Sequence, residues 1–389
     1  MTVVKTSYLS KTVQELKPSG IRKFFDLTAT MDGVISLGVG EPDFITSWSV
    51  REAAITSLEQ GYTSYTANAG LIELRREISK YIANLCDVEY SPEHEIIVTV
   101  GASQAIDIAF RAIIDPGDEV IVVNPSFVAY EPLVSLAGGV PVSISTKKEN
   151  GFKLTAEELE AAITPKTKAV LICSPNNPTG TQLVEEDLKA LSQVFVKHDL
   201  LLVSDEIYAE LSYDEPFMSM AAFPGMRERT IMINGFSKGF AMTGWRLGFL
   251  CAPAELAEAM LKIHQYAMMC ASSMSQHAAL EALLHGMDDV VEMRGSYRAR
   301  RNYIVNSFNE LGLDCHLPGG AFYAFPSIER TGLTSEQFAE RLLLEERVAV
   351  VPGSVFGESG EGHVRASYAT SLEQLKEAVR RIDNFLKKL

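Results

Sequence analysis

Between residues 95 and 235 the chain alternates short apolar, β-branched runs with longer amphipathic stretches, and few folds accommodate that rhythm. The runs fall at 95–100, 119–123, 169–173, 200–204 and 230–234. Each is nearly continuous in apolar residues rather than alternating apolar with polar. That predicts strands covered on both faces, the signature of a mainly parallel sheet. Parallel neighbours need crossovers, and the intervening segments supply them. Residues 103–114 have helical spacing, with Ile106, Ala109, Phe110 and Ile113 on one side. Residues 185–197 are amphipathic, and Pro116, Gly117 and Asp118 form a turn. The fold class expected is α/β.

A chain of 389 residues exceeds one ordinary core, so two or three lobes are expected. No repeat, low-complexity tract or flexible linker separates them. The 35 Lys+Arg against 50 Asp+Glu give a net charge of −15, which argues against a general nucleic-acid partner. No apolar run approaches the roughly 18 residues a membrane span requires, and Met1 to Tyr8 lack a signal peptide's apolar core. Cys86, Cys173, Cys251, Cys270 and Cys315 are odd in number and never spaced C-x-x-C. They argue against a disulfide framework and fit a reducing cytoplasm. The seven histidines show no ligand spacing, and no metal is expected. Thr155 with Glu158, Thr334 with Gln337 and Ser371 with Gln374 each match a helix-capping box. Helices lengthen toward the C-terminus, which places a domain change near residue 290. The first ~40 residues lack strand alternation and could join the second lobe.

Five segments could carry chemistry. Ser237 and Lys238 follow an apolar run, and a partly buried lysine there would have a lowered pKa and act as a nucleophile. A surface lysine is the plainer reading, but Arg246 eight residues on could supply a phosphate fork. Gly101, Ala102 and Ser103 join a strand to a helix, offering free N–H groups and a positive dipole end to an anion. Many such joints contain glycine, and this one matches neither a dinucleotide fingerprint nor a Walker loop. Asp205 and Glu206 stand at a strand's C-terminal end, where open α/β sheets bind ligands. Asp205 is the better candidate, with Glu206 structural. Asn177 lies between prolines that fix its backbone, although a plain turn explains them equally well. Arg365 interrupts an apolar run; a carboxylate fork is one reading, and a strand-edge arginine is the favoured one on this evidence alone.

In order and spacing these segments resemble the pyridoxal-phosphate (PLP) dependent aminotransferases of class I/II, fold type I. The matching residues run almost end to end: 37–44, 62–66, 101–103, 177–180, 204–208, 237–238, 242–246 and 353–365. Residues 19–24 and 262–266 point to a bacterial subgroup that includes aromatic and acetyl-diaminopimelate aminotransferases. The resemblance implies a large domain at 46–290 around a seven-stranded-type, mainly parallel sheet that binds PLP. It implies a smaller α+β domain at 291–389, joined by residues 1–45.

It also implies roles. Lys238 would bond to PLP through its amine and, once displaced by the incoming amino acid, move the Cα proton as general base and acid. Asp205 would face the pyridine nitrogen and keep it protonated. Tyr208 and Asn177 would hydrogen-bond the phenolic oxygen. Arg246, Ser103, Ser237 and the backbone at Gly101 and Ala102 would hold the phosphate, and Phe127 would cover the ring. Arg365 would grip the substrate α-carboxylate, with Asn177 and the backbone near Gly40. Tyr65 would reach the phosphate of a neighbouring subunit, which implies a homodimer with shared sites.

Two departures from the family pattern stand out. Some branches have a serine three residues before the lysine, where this chain has Gly235. Phe127 stands where tyrosine or tryptophan is common and brings no polar contact. Glu41 and Asp43 lie in a loop near the substrate without being the catalytic acids, and 268–274 reads as packing near an interface. Arg22 could approach the substrate side chain or be a surface charge. The function implied is transfer of an amino group from an L-amino acid, aromatic or other, to a 2-oxo acid through a pyridoxamine form of the cofactor. The alternative is a PLP-dependent carbon–sulfur β-lyase, which the same residues would serve. A non-catalytic PLP-binding regulator is disfavoured because no helix-turn-helix precedes the enzyme-like region.

Overall fold

A computed structural model describes residues 8–16 and 31–389. Arg22 and the 19–24 segment lie outside the described residues. The strand β1 (Ile35–Ser36) precedes seven strands of one sheet: β2 (Ile96–Thr99), β3 (Glu119–Asn124), β4 (Val140–Ser145), β5 (Thr167–Cys173), β6 (Leu201–Asp205), β7 (Thr230–Gly235) and β8 (Gly248–Cys251). Their order across the sheet is β2-β8-β7-β6-β5-β3-β4. Every pairing is parallel except those of β8, which runs against both β2 and β7.

The continuous apolar runs have the cause expected. On β5, Ala169, Leu171 and Cys173 enter one core, and Val170 and Ile172 enter another. On β2, Ile97 joins the first core, while Ile96 and Val98 join a third. Side chains alternate across a strand, so a run that must fill both faces cannot contain regular polar positions. Full burial of each Val, Leu or Ile side chain among them contributes about 1.5–3 kcal/mol. The Ala102–Ile113 helix lies on the first face through Ala105, Ile106, Ala109 and Phe110. The Glu185–His198 helix covers the second through Leu188, Leu191, Val194 and Phe195.

Residue 290 falls in the first turn of the Met287–Glu310 helix, 24 residues long, so the chain crosses that point without a loop. Beyond it come β9 (Tyr323–Ala324), β10 (Val348–Ala349), β11 (Val351–Pro352) and β12 (Val364–Ser367). β12 pairs antiparallel with β11 on one side and β9 on the other. β10 pairs in parallel with β1, so the segment around residue 35 is stitched to the C-terminal part of the chain.

The capping boxes at Thr155 and Thr334 form in both directions. At Ser371 only the hydroxyl half forms, accepting the Gln374 N–H at 3.2 Å. Among the described residues no helix is long and apolar enough to cross a membrane.

Candidate active site

Strand direction decides where the functional side chains meet. β2, β3, β5, β6 and β7 end at one edge of the sheet, and the residues that follow them turn there. Because β8 is reversed, its first residue, Gly248, pairs with both Thr99 and Gly235. Arg246, two residues before it, therefore arrives at the same edge as Lys238, three residues after β7. A cavity of about 930 Å³ opens at this edge. Gly40, Ala102, Ser103, Phe127, Asn177, Asp205, Tyr208, Ser237, Lys238, Arg246 and Arg365 all line it. Gly101 stands behind the lining, and Tyr65 is 79% exposed away from it.

Lys238 sits in a restricted setting. Its amine donates to the Gly40 carbonyl. Burial lowers its pKa to about 8, against the opposing attraction of Glu41. A lysine titrating there is roughly one-tenth neutral at pH 7, far more than an ordinary lysine, and the neutral amine is the form a nucleophile and base requires.

Asp205, the last residue of β6, is buried. Its Oδ2 accepts the Tyr130 hydroxyl at 2.6 Å and its Oδ1 accepts the Ile207 N–H at 3.2 Å. Burial raises its pKa, while Tyr130, the Ile207 N–H and the Lys238 charge each pull it down. A cation placed against it would hold it ionised. Glu206 points to the other face, where its Oε1 accepts from Ser204 and Ser219 at 2.9 and 2.7 Å. It does not line the cavity, in keeping with a structural role.

An anion cradle forms where the Ala102–Ile113 helix begins. Gly101, its N-cap, has φ +80°, and a Cβ there would lie 2.9 Å from Arg246 Nη2. Only glycine takes this backbone conformation and lets the guanidinium approach. Helix N–H groups, Arg246, Ser103 and Ser237 thus face one part of the cavity. Gly235 explains the departure from the serine pattern. It pairs with Gly248, and a Cβ at 235 would lie 2.8 Å from the Gly248 Cα. A serine has no room there, so Ser103 and Ser237 are the available hydroxyls.

Arg365 corrects an expectation. Read by itself it looked like a strand-edge arginine, but β12 is the central strand of its sheet and Arg365 is 3% exposed. Its Nη1 donates to the Asn177 side-chain oxygen at 2.8 Å and its Nη2 to the Gly38 carbonyl at 2.7 Å. Its charge lies 4.5 Å over the Tyr323 ring. Its Nε has no partner. Among the described residues every group it bonds is neutral, so this is a buried cation lacking its counter-anion. Such a charge costs several kcal/mol unless an anion arrives.

These features coincide with a family match. The sequence profile described as aminotransferase class I and II covers residues 32–382. The chain belongs to this family. It is 67% identical over 383 residues to YugH of Bacillus subtilis (strain 168), covering 98% of this chain and 99% of that one. It is 45% identical over 382 residues to the aromatic-amino-acid aminotransferase 2 of Thermococcus litoralis, covering 97% and 98%. A solved structure of the aspartate aminotransferase from Thermus thermophilus with maleate superposes with a TM-score of 0.92 at 42% identity, covering 97% and 99%. The aminotransferase therefore moves an amino group between an amino acid and a 2-oxo acid, and the fold is that of fold type I. Nothing in these relatives favours the β-lyase alternative.

Two residues of this aminotransferase's cavity escaped the sequence reading. Tyr130 holds Asp205, as described, and lies three residues after Phe127. Tyr323 shares a 2.8 Å hydrogen bond with the Tyr208 hydroxyl and stacks on Arg365. Tyr323 sits in a run of small and aromatic residues after a glycine pair, which signals a tight buried strand but no site. Glu41, set aside as non-catalytic, does line the cavity and accepts the Thr243 hydroxyl at 3.2 Å.

Proposed function

We propose that the aminotransferase works with PLP, the cofactor on which its family depends, in the cavity at the sheet edge. Its donor set suits that cofactor: a helix start with Arg246 for a phosphate, a buried Asp205 for a pyridinium, and Lys238 for the aldehyde. Bound PLP supplies an electron sink that lets the amino acid's Cα–H bond ionise.

This chain's residues do the rest. Lys238 takes a proton at Cα and returns one, with its pKa of about 8 suiting both steps. Asp205, kept in place by Tyr130, holds a positive charge opposite itself. Tyr208 and Asn177 would hold the phenolic oxygen, and Phe127 would cover the ring. Arg365 takes the α-carboxylate, which fills the unpartnered Nε and pairs the buried charge. That unpaired arginine is the observation that carries the reading.

Among the described residues the cavity's cations are Lys238, Arg246 and Arg365, and each already has a task. The remaining wall includes Val39, Ile106 and Val128, and the Glu41 carboxylate beside them would repel a second carboxylate. This supports donors with aromatic or apolar side chains over dicarboxylic ones.

A homodimer is proposed as well. Tyr65, Tyr266, Met268 and Met269 are exposed, and the Asn68 side chain bonds the Met269 carbonyl at 2.8 Å, joining the two loops into one apolar patch. A second copy would cover it and receive Tyr65. All five cysteines are unpaired and four are buried, which fits a reducing, cytoplasmic setting.

A panel of single amino donors with 2-oxoglutarate or pyruvate tests the reading. Amino transfer favouring aromatic donors supports it. A preference for aspartate overturns the donor assignment. Release of ammonia and pyruvate from cysteine conjugates without amino transfer supports the lyase. Sedimentation tests the dimer.

A further inference from the structure

We propose that Asp43, held by Arg300 and Tyr297, is a positioning residue that fixes a strap across the cavity mouth and thereby the carboxylate grip of Arg365. The inference rests on the reading of Arg365 as the substrate-carboxylate site.

The strap is the stretch 37–46. Three of its groups reach the site. The Gly38 carbonyl accepts Arg365 Nη2 at 2.7 Å, the Gly40 carbonyl accepts the Lys238 amine, and Glu41 accepts the Thr243 hydroxyl. Its ends are fixed by hydrogen bonds. At one end the Leu37 N–H donates to Ala349 and the Leu37 carbonyl accepts from Ser367, at 2.8 and 2.6 Å. At the other, the Thr46 hydroxyl donates to the Ala241 carbonyl at 2.6 Å and accepts from the Trp245 indole at 3.0 Å. Residues 38–45 form no helix or strand, so no backbone ladder holds the middle.

Asp43 holds it instead. Arg300 Nη1 lies 2.8 Å from both of its carboxylate oxygens. The Tyr297 hydroxyl donates to Asp43 Oδ1 at 3.1 Å and accepts the Asp43 N–H at 3.3 Å. The Arg300 guanidinium lies 5.3 Å from the Phe44 ring centre and 5.5 Å from that of Tyr297. Side-chain exposures of 14% for Arg300 and 26% for Asp43 leave the pair only lightly screened. Tyr297 and Arg300 both belong to the Met287–Glu310 helix, a rigid mount. Release of Asp43 frees the strap, and Arg365 loses one of its two fixed hydrogen bonds. A guanidinium that can rotate grips a carboxylate less well, whereas the Lys238 amine must leave the Gly40 carbonyl to act on substrate in any case, so its chemistry loses little.

The experiment compares Asp43→Asn, Asp43→Glu and Tyr297→Phe in the PLP-loaded enzyme. It measures KM for donor and acceptor, kcat, cofactor retention and Tm. Arg298→Ala is the control. Arg298 sits on the same helix and pairs with Asp214 at 2.7 Å, away from the strap. Asp43→Asn is expected to raise both KM values about tenfold, with kcat and cofactor retention within about twofold of wild type. Asp43→Glu should recover most of that loss, and Tyr297→Phe should raise KM about threefold. Arg298→Ala should leave KM alone. KM values unchanged in folded Asp43→Asn, or raised as much by Arg298→Ala, overturn the proposal. If Asp43→Asn does not fold, an unchanged KM in Tyr297→Phe overturns it. Arg365→Lys separates the two levels. If it raises KM and the Asp43 variants do not, only this inference fails; if it leaves KM unchanged, the carboxylate reading beneath it fails.

Discussion

Arg246 and Arg365 line the same cavity, yet they are held in opposite ways. Arg246 is exposed, bonds the carbonyl of Thr243 three residues away and rests against Gly101 at a helix start. Arg365 is buried, and its partners Asn177 and Gly38 lie 188 and 327 residues away in the chain. Water solvates the first before any ligand arrives, so its setting costs little. The second is a desolvated cation with neutral partners, tolerated because an anion completes it. One site is a local loop at a strand edge. The other exists only where three distant segments meet, and it should be the more easily damaged.

The comparison can be broken in several places. Lys238 serves both ends, so Lys238→Ala should lower amino transfer about 10⁴-fold or more, measured under single-turnover conditions. Near wild-type turnover would remove the residue on which both assignments hang.

The two arginines should then fail differently. Arg365→Lys should raise KM for the amino acid about 10- to 100-fold and leave cofactor retention unchanged, because a point charge cannot reproduce the fork. Arg246→Lys should weaken cofactor retention about tenfold with little change in KM. Equilibrium dialysis beside steady-state kinetics distinguishes the patterns, and identical patterns would erase the contrast.

Glu206 offers a buried charge that no ligand completes. Burial lifts its carboxyl to about 7, and its Oε2 has no partner. Its folded pKa exceeds the ordinary 4.5, so the folded state binds the extra proton between those values. Stability from this group is full below pH 4.5 and declines as pH rises toward 7, by on the order of 2–3 kcal/mol. In denaturant titrations, the stability difference between wild type and Glu206→Gln should follow that slope, because the other buried carboxyls are common to both.

The smallest effect is expected at Tyr323. Tyr323→Phe keeps the ring over Arg365 and removes the hydrogen bond to Tyr208, so kcat/KM should fall about fivefold, the worth of one neutral hydrogen bond. A loss as large as that of Arg365→Lys would mean that the hydroxyl, not the ring, supports the carboxylate end.

Much of the cofactor end was legible in the chain. Lys238 and Arg246 stand eight residues apart in the connection between β7 and β8, Gly101 to Ser103 mark a strand-to-helix joint, and Asp205 closes a strand. Period-two alternation also explains why Asp205 and Glu206, adjacent in sequence, face opposite sides. The carboxylate end was less legible. Arg365 by itself looked like an edge residue, because neither its central place in a three-stranded sheet nor its burial is written in its neighbours. Tyr130 and Tyr323 carried no signal, since a buried tyrosine in a core and one in a site have the same local sequence. Arg22, which could bear on side-chain choice, lies outside the described residues.

The sequence by itself determined the sheet. Runs that fill two cores must be continuous in apolar residues, and that pattern depends only on near neighbours. It also determined the chemistry offered at the strand ends, because a motif of a few residues fixes its own turn. Only the tertiary structure decided which cation would lack an anion. Desolvation and pairing depend on what packs around a group, and around Arg365 those neighbours come from residues 38, 177 and 323. The strap held by Asp43 belongs to the same class, since its anchor lies 257 residues away on a helix that no local pattern connects to it.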